Sequence, residues 1–214
     1  MRRCHSLSID IVGGGFGMIS ILDQMNQHGL SCSDIRIYSA DHAEIGDAYR
    51  PAPNLLLMNT KTQHLGFFDH VVNFAAWLAR QPENRDRPKD FIPRAVFGAY
   101  LSEVRTEIER ALLRRGNRLQ RLGPATRIDR EARVHKEDEA GPPSDLILLS
   151  PGYGRALDLV ALANNILSMP CNGRVRIVGS GLSAIDLILL SEHLRPDLAI
   201  ECISLSGRLP RIRS

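Results

Sequence analysis

The sequence predicts an α/β fold in three layers, and three observations carry that expectation. A short apolar run rich in β-branched residues, Ile9–Val12, breaks into glycines at Gly13–Gly15 and Gly17, then resumes as a helical apolar sequence, M-I-S-I-L. The same order returns at Arg174–Leu190, R-V-R-I-V-G-S-G-L-S-A-I-D-L-I-L-L. Between the two, Ser144–Gly154 (S-D-L-I-L-L-S-P-G-Y-G) reads as a strand buried on both sides and ending in glycine.

Strand, glycine turn, helix is the order that a dinucleotide pyrophosphate needs. The first glycine makes the tight turn and the second lets the backbone approach the phosphates. The helix N-terminus then offers unpaired N–H groups and the positive end of its dipole to the anion. Gly13 and Gly15 fill the first two places; the third falls on Met18, with Gly17 beside it. A methionine where close helix–strand packing is wanted should push the two apart. The second turn is better formed, G-x-G-x-x-A at Gly179, Gly181 and Ala184. A single glycine turn at a strand end is often only a turn. Two of them, about 165 residues apart, are far more specific.

Taken in order, the first helix keeps Ile19, Ile21, Leu22 and Met25 on one face and should stop near His28-Gly29. Asp34–Tyr38 reads as a second strand, completing a βαβ unit. An acid at the end of that strand binds ribose hydroxyls; Asp41 lies a residue or two late, and is either that acid or a loop acid. The long segment Ala43–Asp69 covers something, or holds a buried strand at Leu55–Met58. On the first view Asn59, Thr60, Gln63 and His64 offer polar contacts to a ring system; on the second they cap the strand.

Val71–Arg80 is an amphipathic helix ended by Gln81-Pro82. The longest helix places Phe97, Leu101, Val104, Ile108 and Leu112 on one side and should run to about Arg115 and end at Gly116. Arg94 sits at its start, a poor place for a cation on dipole grounds, so it has an anionic partner or is a surface arginine. Leu119–Pro143 reads as a loop or frayed hairpin, and a turn-rich linker follows Gly154. Ala199–Ser204 is the strand that closes the second βαβ.

With 214 residues the chain can bury a real core, as one large domain or two small ones. Its net charge of +3 is too small to argue for nucleic acid or an anionic membrane. Cys4, Cys32, Cys171 and Cys202 show neither a C-x-x-C nor metal-ligand spacing, which points to a reducing compartment. No apolar run approaches the roughly 20 residues of a membrane helix, and the start is not a signal peptide. The expected location is cytoplasmic.

Several pieces together resemble the bacterial FAD–NAD(P)-binding family of two-dinucleotide flavoproteins, which includes aspartate N-monooxygenases and urate hydroxylases. They are G-G-G-F at Gly13–Phe16, G-x-A-Y at Gly46–Tyr49, L-L-M-N-T at Leu56–Thr60 and P-R-x-x-x-G-x-Y-L at Pro93–Leu101. To these add G-x-G-L-S at Gly179–Ser183 and S-x-x-G-x-L-P at Ser204–Pro210. The resemblance implies a Rossmann-like FAD domain over residues 1–155 and the first part of an NAD(P)-binding domain over residues 171–214. It implies that Gly13, Gly15 and Gly17 hold the FAD pyrophosphate, that Asn59 and Arg94 lie along the flavin, and that Gly152 closes the site. Gly179, Gly181 and Ala184 would serve NAD(P)H.

The implied activity is that of an FAD- and NAD(P)H-dependent oxidoreductase, a monooxygenase on a small amino-acid-like or heterocyclic substrate. No protein nucleophile or acid/base pair is then required, because the cofactor carries the chemistry. The family's paired arginines after Ser204 are Leu205 and Ser206 here, which leaves NADH and NADPH both open. Members of that family are considerably longer, so the second domain is expected to be incomplete. Two alternatives stand beside this reading: a non-catalytic dinucleotide-binding remnant or subunit that needs a complementary chain or self-association, and a simple NAD(P)-dependent reductase.

Overall fold

The computed structural model describes residues 7–40, 45–49, 54–67, 73–82, 90–152 and 159–209. Strand β1 (Leu7–Val12) runs through the glycine turn into helix α1 (Phe16–Gln27). The helix stops where its sequence signals place the end, with His28 as cap and Gly29 at φ +63°. Strand β2 (Cys32–Tyr38) lies parallel to β1, with Ile9 beside Ile35 and Ile11 beside Ile37. The Leu55–Met58 stretch is not a strand. It makes one antiparallel bridge, Leu57 with Pro93, and buries Leu56 and Met58.

Helix α2 (Phe74–Ala79) begins at Asn73, whose side chain accepts the Ala76 N–H at 2.9 Å. Val71 and Val72, in the helix expected from sequence, lie outside the described residues. Helix α3 (Arg94–Arg114) buries Phe97, Leu101, Val104, Ile108 and Leu112, and Gly116 follows it at φ +85°.

The stretch read as a loop or frayed hairpin opens with a strand and then holds antiparallel hairpins. Strand β3 (Arg118–Leu122) pairs parallel with β2. R-L-Q-R-L shows no apolar run because β3 is an edge strand with Arg118 and Arg121 exposed. An antiparallel meander follows, β4 (Arg127–Ile128), β5 (Val134–Lys136) and β6 (Glu139–Ala140). Strand β7 (Leu146–Leu149) then returns parallel to β1, giving the order β3-β2-β1-β7. It is the other edge of the sheet, and Leu149 is 64% exposed, so the expectation of burial on both sides fails.

Side chains alternate across this sheet. Ile9, Ile11, Ile35 and Ile37 face α1 and α3 and form the main core with their apolar residues. On the other face Asp10 pairs with Arg36, whose guanidinium also donates to the Pro143 carbonyl at 3.2 Å and the Ser144 hydroxyl at 2.6 Å. Gly141 lies against the Tyr38 phenol on that same face. The result is a three-layer Rossmann-like α/β fold: helices, parallel sheet, meander.

The supposed linker after Gly154 contains helix α4 (Leu159–Leu167). Its two asparagines and the following Ser-Met-Pro weigh toward a loop, while Leu162 and Ile166, one turn apart, pack inward. Strand β8 (Arg174–Val178), helix α5 (Leu182–Leu194) and strand β9 (Ala199–Ile203) form the second βαβ, with β8 and β9 parallel. Ile166 of α4, Leu190 of α5 and Leu198 form a second, smaller core.

Candidate functional site

Both glycine turns sit at the carboxyl ends of their strands, where open α/β sheets bind ligands. Gly13 has φ +120°, and its N–H donates to the Tyr38 carbonyl at the end of β2, 2.9 Å away. Gly179 has φ +113°, and its N–H donates to the Ile203 carbonyl at the end of β9, 2.7 Å away. Two residues on, Gly15 and Gly181 are extended N-caps (φ −88° and −76°) without a side-chain cap. Ile19 N–H bonds back to Gly15 and Ala184 N–H to Gly181, closing the first turn of each helix. Among the described residues no acceptor meets the N–H groups of Phe16 and Gly17 or of Leu182 and Ser183. Neither helix has a charged acid in its first turn. Each turn is therefore a positive, donor-lined helix start open to an anion.

The two turns differ in what surrounds them. A side chain on Gly13 would overlap the Ser150 carbonyl, and one on Gly17 would overlap the Ser150 hydroxyl. A side chain on Gly15 would lie 3.2 Å from the Gly46 Cα, and Gly46 itself has φ +89°. Three glycines thus let the ends of two other segments, Ser150 after β7 and the 45–49 turn, close on the loop. The close approach expected of a third-place glycine is made at Gly17. Met18 points into the main core at 1% exposure, so no disruption follows from its bulk. Around Gly179 and Gly181 nothing lies within 4 Å of a built Cβ, and Ala184 is buried. The Cys202 thiol donates to the Gly179 carbonyl at 2.9 Å.

The remaining sequence-derived residues divide. Gly152 follows Ser150 at φ +70° with nothing near a built Cβ. Asn59 is exposed and accepts the Thr60 hydroxyl at 3.3 Å. Asp41 lies outside the described residues. Arg94 has the anionic partner its helix position demanded: Nη2 donates to Asp186 of α5 at 2.6 Å, and Nε to the Leu57 carbonyl at 3.1 Å. Burial pushes the Asp186 carboxyl above its ordinary value, and Arg94 pulls it part of the way back.

Sequence reading missed Ser150 and Asp186. Asp186 carried a faint signal, an acid on the apolar helix of the second fingerprint. Phe16 was quoted only as part of a motif. It is 38% exposed beside the first turn and stacks on Phe67, ring centroids 5.3 Å apart.

Among the described residues no group of three His, Cys, Asp or Glu is placed to hold a metal. Nor is any helix among them long and apolar enough to cross a membrane. A family model described as FAD-NAD(P)-binding matches residues 10–154, more than half of the chain. No curated protein matches it.

Proposed function

Because this chain belongs to the FAD–NAD(P)-binding family, we propose that Gly13–Gly17 holds the pyrophosphate of FAD and Gly179–Ala184 that of NAD(P)H. FAD and NAD(P)H are the family's cofactors, which points to a flavin-dependent oxidoreductase. The match ends at Gly154, so the nucleotide assignment of the second turn rests on geometry. One observation carries it: Gly13 and Gly179 have the same backbone, the same bond to the neighbouring strand and the same uncapped helix two residues later.

FAD, when bound, would supply the hydride-accepting and oxygen-activating chemistry, so the chain's own residues have binding and orientation to perform. The N–H groups of Phe16 and Gly17 receive one pyrophosphate, and those of Leu182 and Ser183 the other. Ser150 and Gly46 shape the first site, while Asn59 and Arg94 border the flavin. The finer reading is a monooxygenase acting on a small amino-acid-like or heterocyclic substrate, in a cytoplasmic setting. Its domains are residues 1–155 for FAD and 171–214 for NAD(P)H.

The test is purification of the chain, reconstitution with FAD, and assay of flavin absorbance and NAD(P)H oxidation. A colourless protein that retains no FAD would sink the proposal. A specific observation favours a second reading, a dinucleotide-binding subunit that works with a complementary chain. Val178 is 85% exposed on β8 and Leu149 64% exposed on β7, more apolar edge than a self-sufficient sheet shows. Oxidation of NAD(P)H that appears only on mixing with a second chain would decide for it. Binding of NAD(P)H at one site with no FAD competition would decide instead for a simple reductase.

A further inference from the structure

The two cores are built separately, yet one charged contact crosses between them. Among the described residues, Arg94–Asp186 is the ion pair that joins the second βαβ unit to the first. The arginine is held from its own side before it reaches across. Its backbone N–H bonds to the Leu56 carbonyl at 2.9 Å, its Nε to the Leu57 carbonyl, and Leu57 bridges Pro93 just before the helix. Its Nη2 meets Asp186 at 2.6 Å.

Both side chains are largely withdrawn from water, 20% and 15% exposed. Withdrawing them carries a desolvation cost that the pairing offsets only in part, as the raised Asp186 carboxyl shows. A pair of this kind adds little adhesion. What it adds is selectivity, since a seating of the second unit that keeps these side chains from water without pairing them leaves a buried charge without its partner.

Its position in the chain gives that selectivity a consequence. Arg94 lies one turn before Gly98, where a side chain would overlap the Tyr49 carbonyl. The 45–49 turn carrying Tyr49 also carries Gly46, which closes on Gly15 of the first glycine turn. On the other side Asp186 stands little more than a turn into the helix that Gly181 caps. The ion pair therefore ties the frame of one glycine turn to the frame of the other.

We infer that Asp186 is a positioning residue: through Arg94 it sets the register in which the second βαβ unit sits on the first. The identity of the two ligands rests on the two-dinucleotide reading, whereas the register itself does not. The experiment is therefore done without ligands, on the full chain. Spin labels are placed at the exposed positions Glu107 on α3 and Glu192 on α5, with the exposed Cys171 and Cys202, and Cys4, replaced by serine. Double electron–electron resonance then reads the distance between the units.

The parent chain should give one narrow distance. Asp186→Arg and Arg94→Glu should each lose it to several populations, and the exchanged pair Arg94→Glu/Asp186→Arg should restore it. Asp186→Asn, which keeps an acceptor but removes the charge, should broaden the distance less than Asp186→Leu does. Circular dichroism confirms that each variant is folded. A narrow and unchanged distance in folded Asp186→Arg, Arg94→Glu or Asp186→Leu chains, or an exchanged pair no better than its singles, overturns the inference. Failure to bind FAD overturns the functional proposal and leaves these distances as they are.

Discussion

Gly13 lies so close to the Ser150 carbonyl that a methyl group on it would overlap the oxygen, whereas Gly179, its counterpart in the second turn, faces open space. The first turn is thus locked into the sheet by the end of β7, through Gly13 and through the Ser150 N–H bond to Val12 at 2.7 Å. The second turn carries the same backbone conformation with no neighbour pressing on it.

Alanine substitutions should separate these two situations. Gly13→Ala adds a forbidden backbone angle to an overlap with backbone, and should cost about 3 kcal/mol or more. It should also abolish FAD retention. Gly179→Ala adds the backbone strain alone, about 1–2 kcal/mol, and should weaken NAD(P)H binding while leaving FAD retention intact. Urea denaturation and equilibrium dialysis with each nucleotide check the pair.

Met18 invites a wrong substitution when read from sequence. By spacing alone, restoring the third glycine would repair the fingerprint and tighten FAD binding. In the fold Met18 is a core residue at 1% exposure, so Met18→Gly opens a cavity in the first turn of α1. The expected cost is about 3–6 kcal/mol, from the cavity and the glycine in a helix. FAD retention should fall with stability. Met18→Leu, close in volume, should stay within about 1.5 kcal/mol of the parent. Tighter FAD binding by a fully folded Met18→Gly chain would show that the core assignment is wrong.

These cases show what was legible in the sequence. Helices α1, α3 and α5 and the strands before the glycine turns were readable because their apolar residues repeat at one period and glycine marks the ends. Strand β3 was not, because an edge strand with arginines in solvent carries no such run. The glycines of both turns were visible by spacing. What presses on them was not: Ser150 reaches Gly13 only because β7 pairs with β1, and no local pattern announces that pairing. Arg94 shows the same limit from the other side. Helix position revealed that it wanted an anion, and only the fold supplied Asp186.

The buried pair behind the first turn gives a third test. Asp10 is fully buried on β1, and Arg36 opposite it on β2 ties the segment before β7 to the sheet. Asp10→Ala leaves the arginine uncompensated and should cost about 3–5 kcal/mol. The double substitution Asp10→Leu/Arg36→Leu removes both charges and should recover much of that loss. A double-mutant cycle by urea denaturation reads the difference. Additive losses would show that the two charges do not depend on each other.

Acid should act first on the second βαβ unit. Arg195 grips Asp197 with two hydrogen bonds, Nε–Oδ1 at 2.7 Å and Nη2–Oδ2 at 2.6 Å, and also donates to the Leu167 and Met169 carbonyls at the end of α4. The Arg195 hydrogen bonds hold the Asp197 carboxyl far below the usual carboxylate range. A carboxyl depressed in the folded state binds protons more readily when unfolded. Its contribution is present above the unfolded value near pH 4 and is lost as pH falls through the folded one. Asp129, depressed by its hydrogen bond from His135, acts in the same direction in the meander. Asp186 acts oppositely: with its carboxyl raised, its contribution is present at low pH and is lost as pH rises through the raised value. Urea midpoints between about pH 3 and pH 7 should therefore show an acid limb that Asp197→Asn flattens and a separate, higher-pH loss that Asp186→Asn removes. An acid limb unchanged by Asp197→Asn would mean that the Arg195 fork forms equally well in the unfolded chain, and that α4 is held to α5 and Leu198 by its apolar face alone.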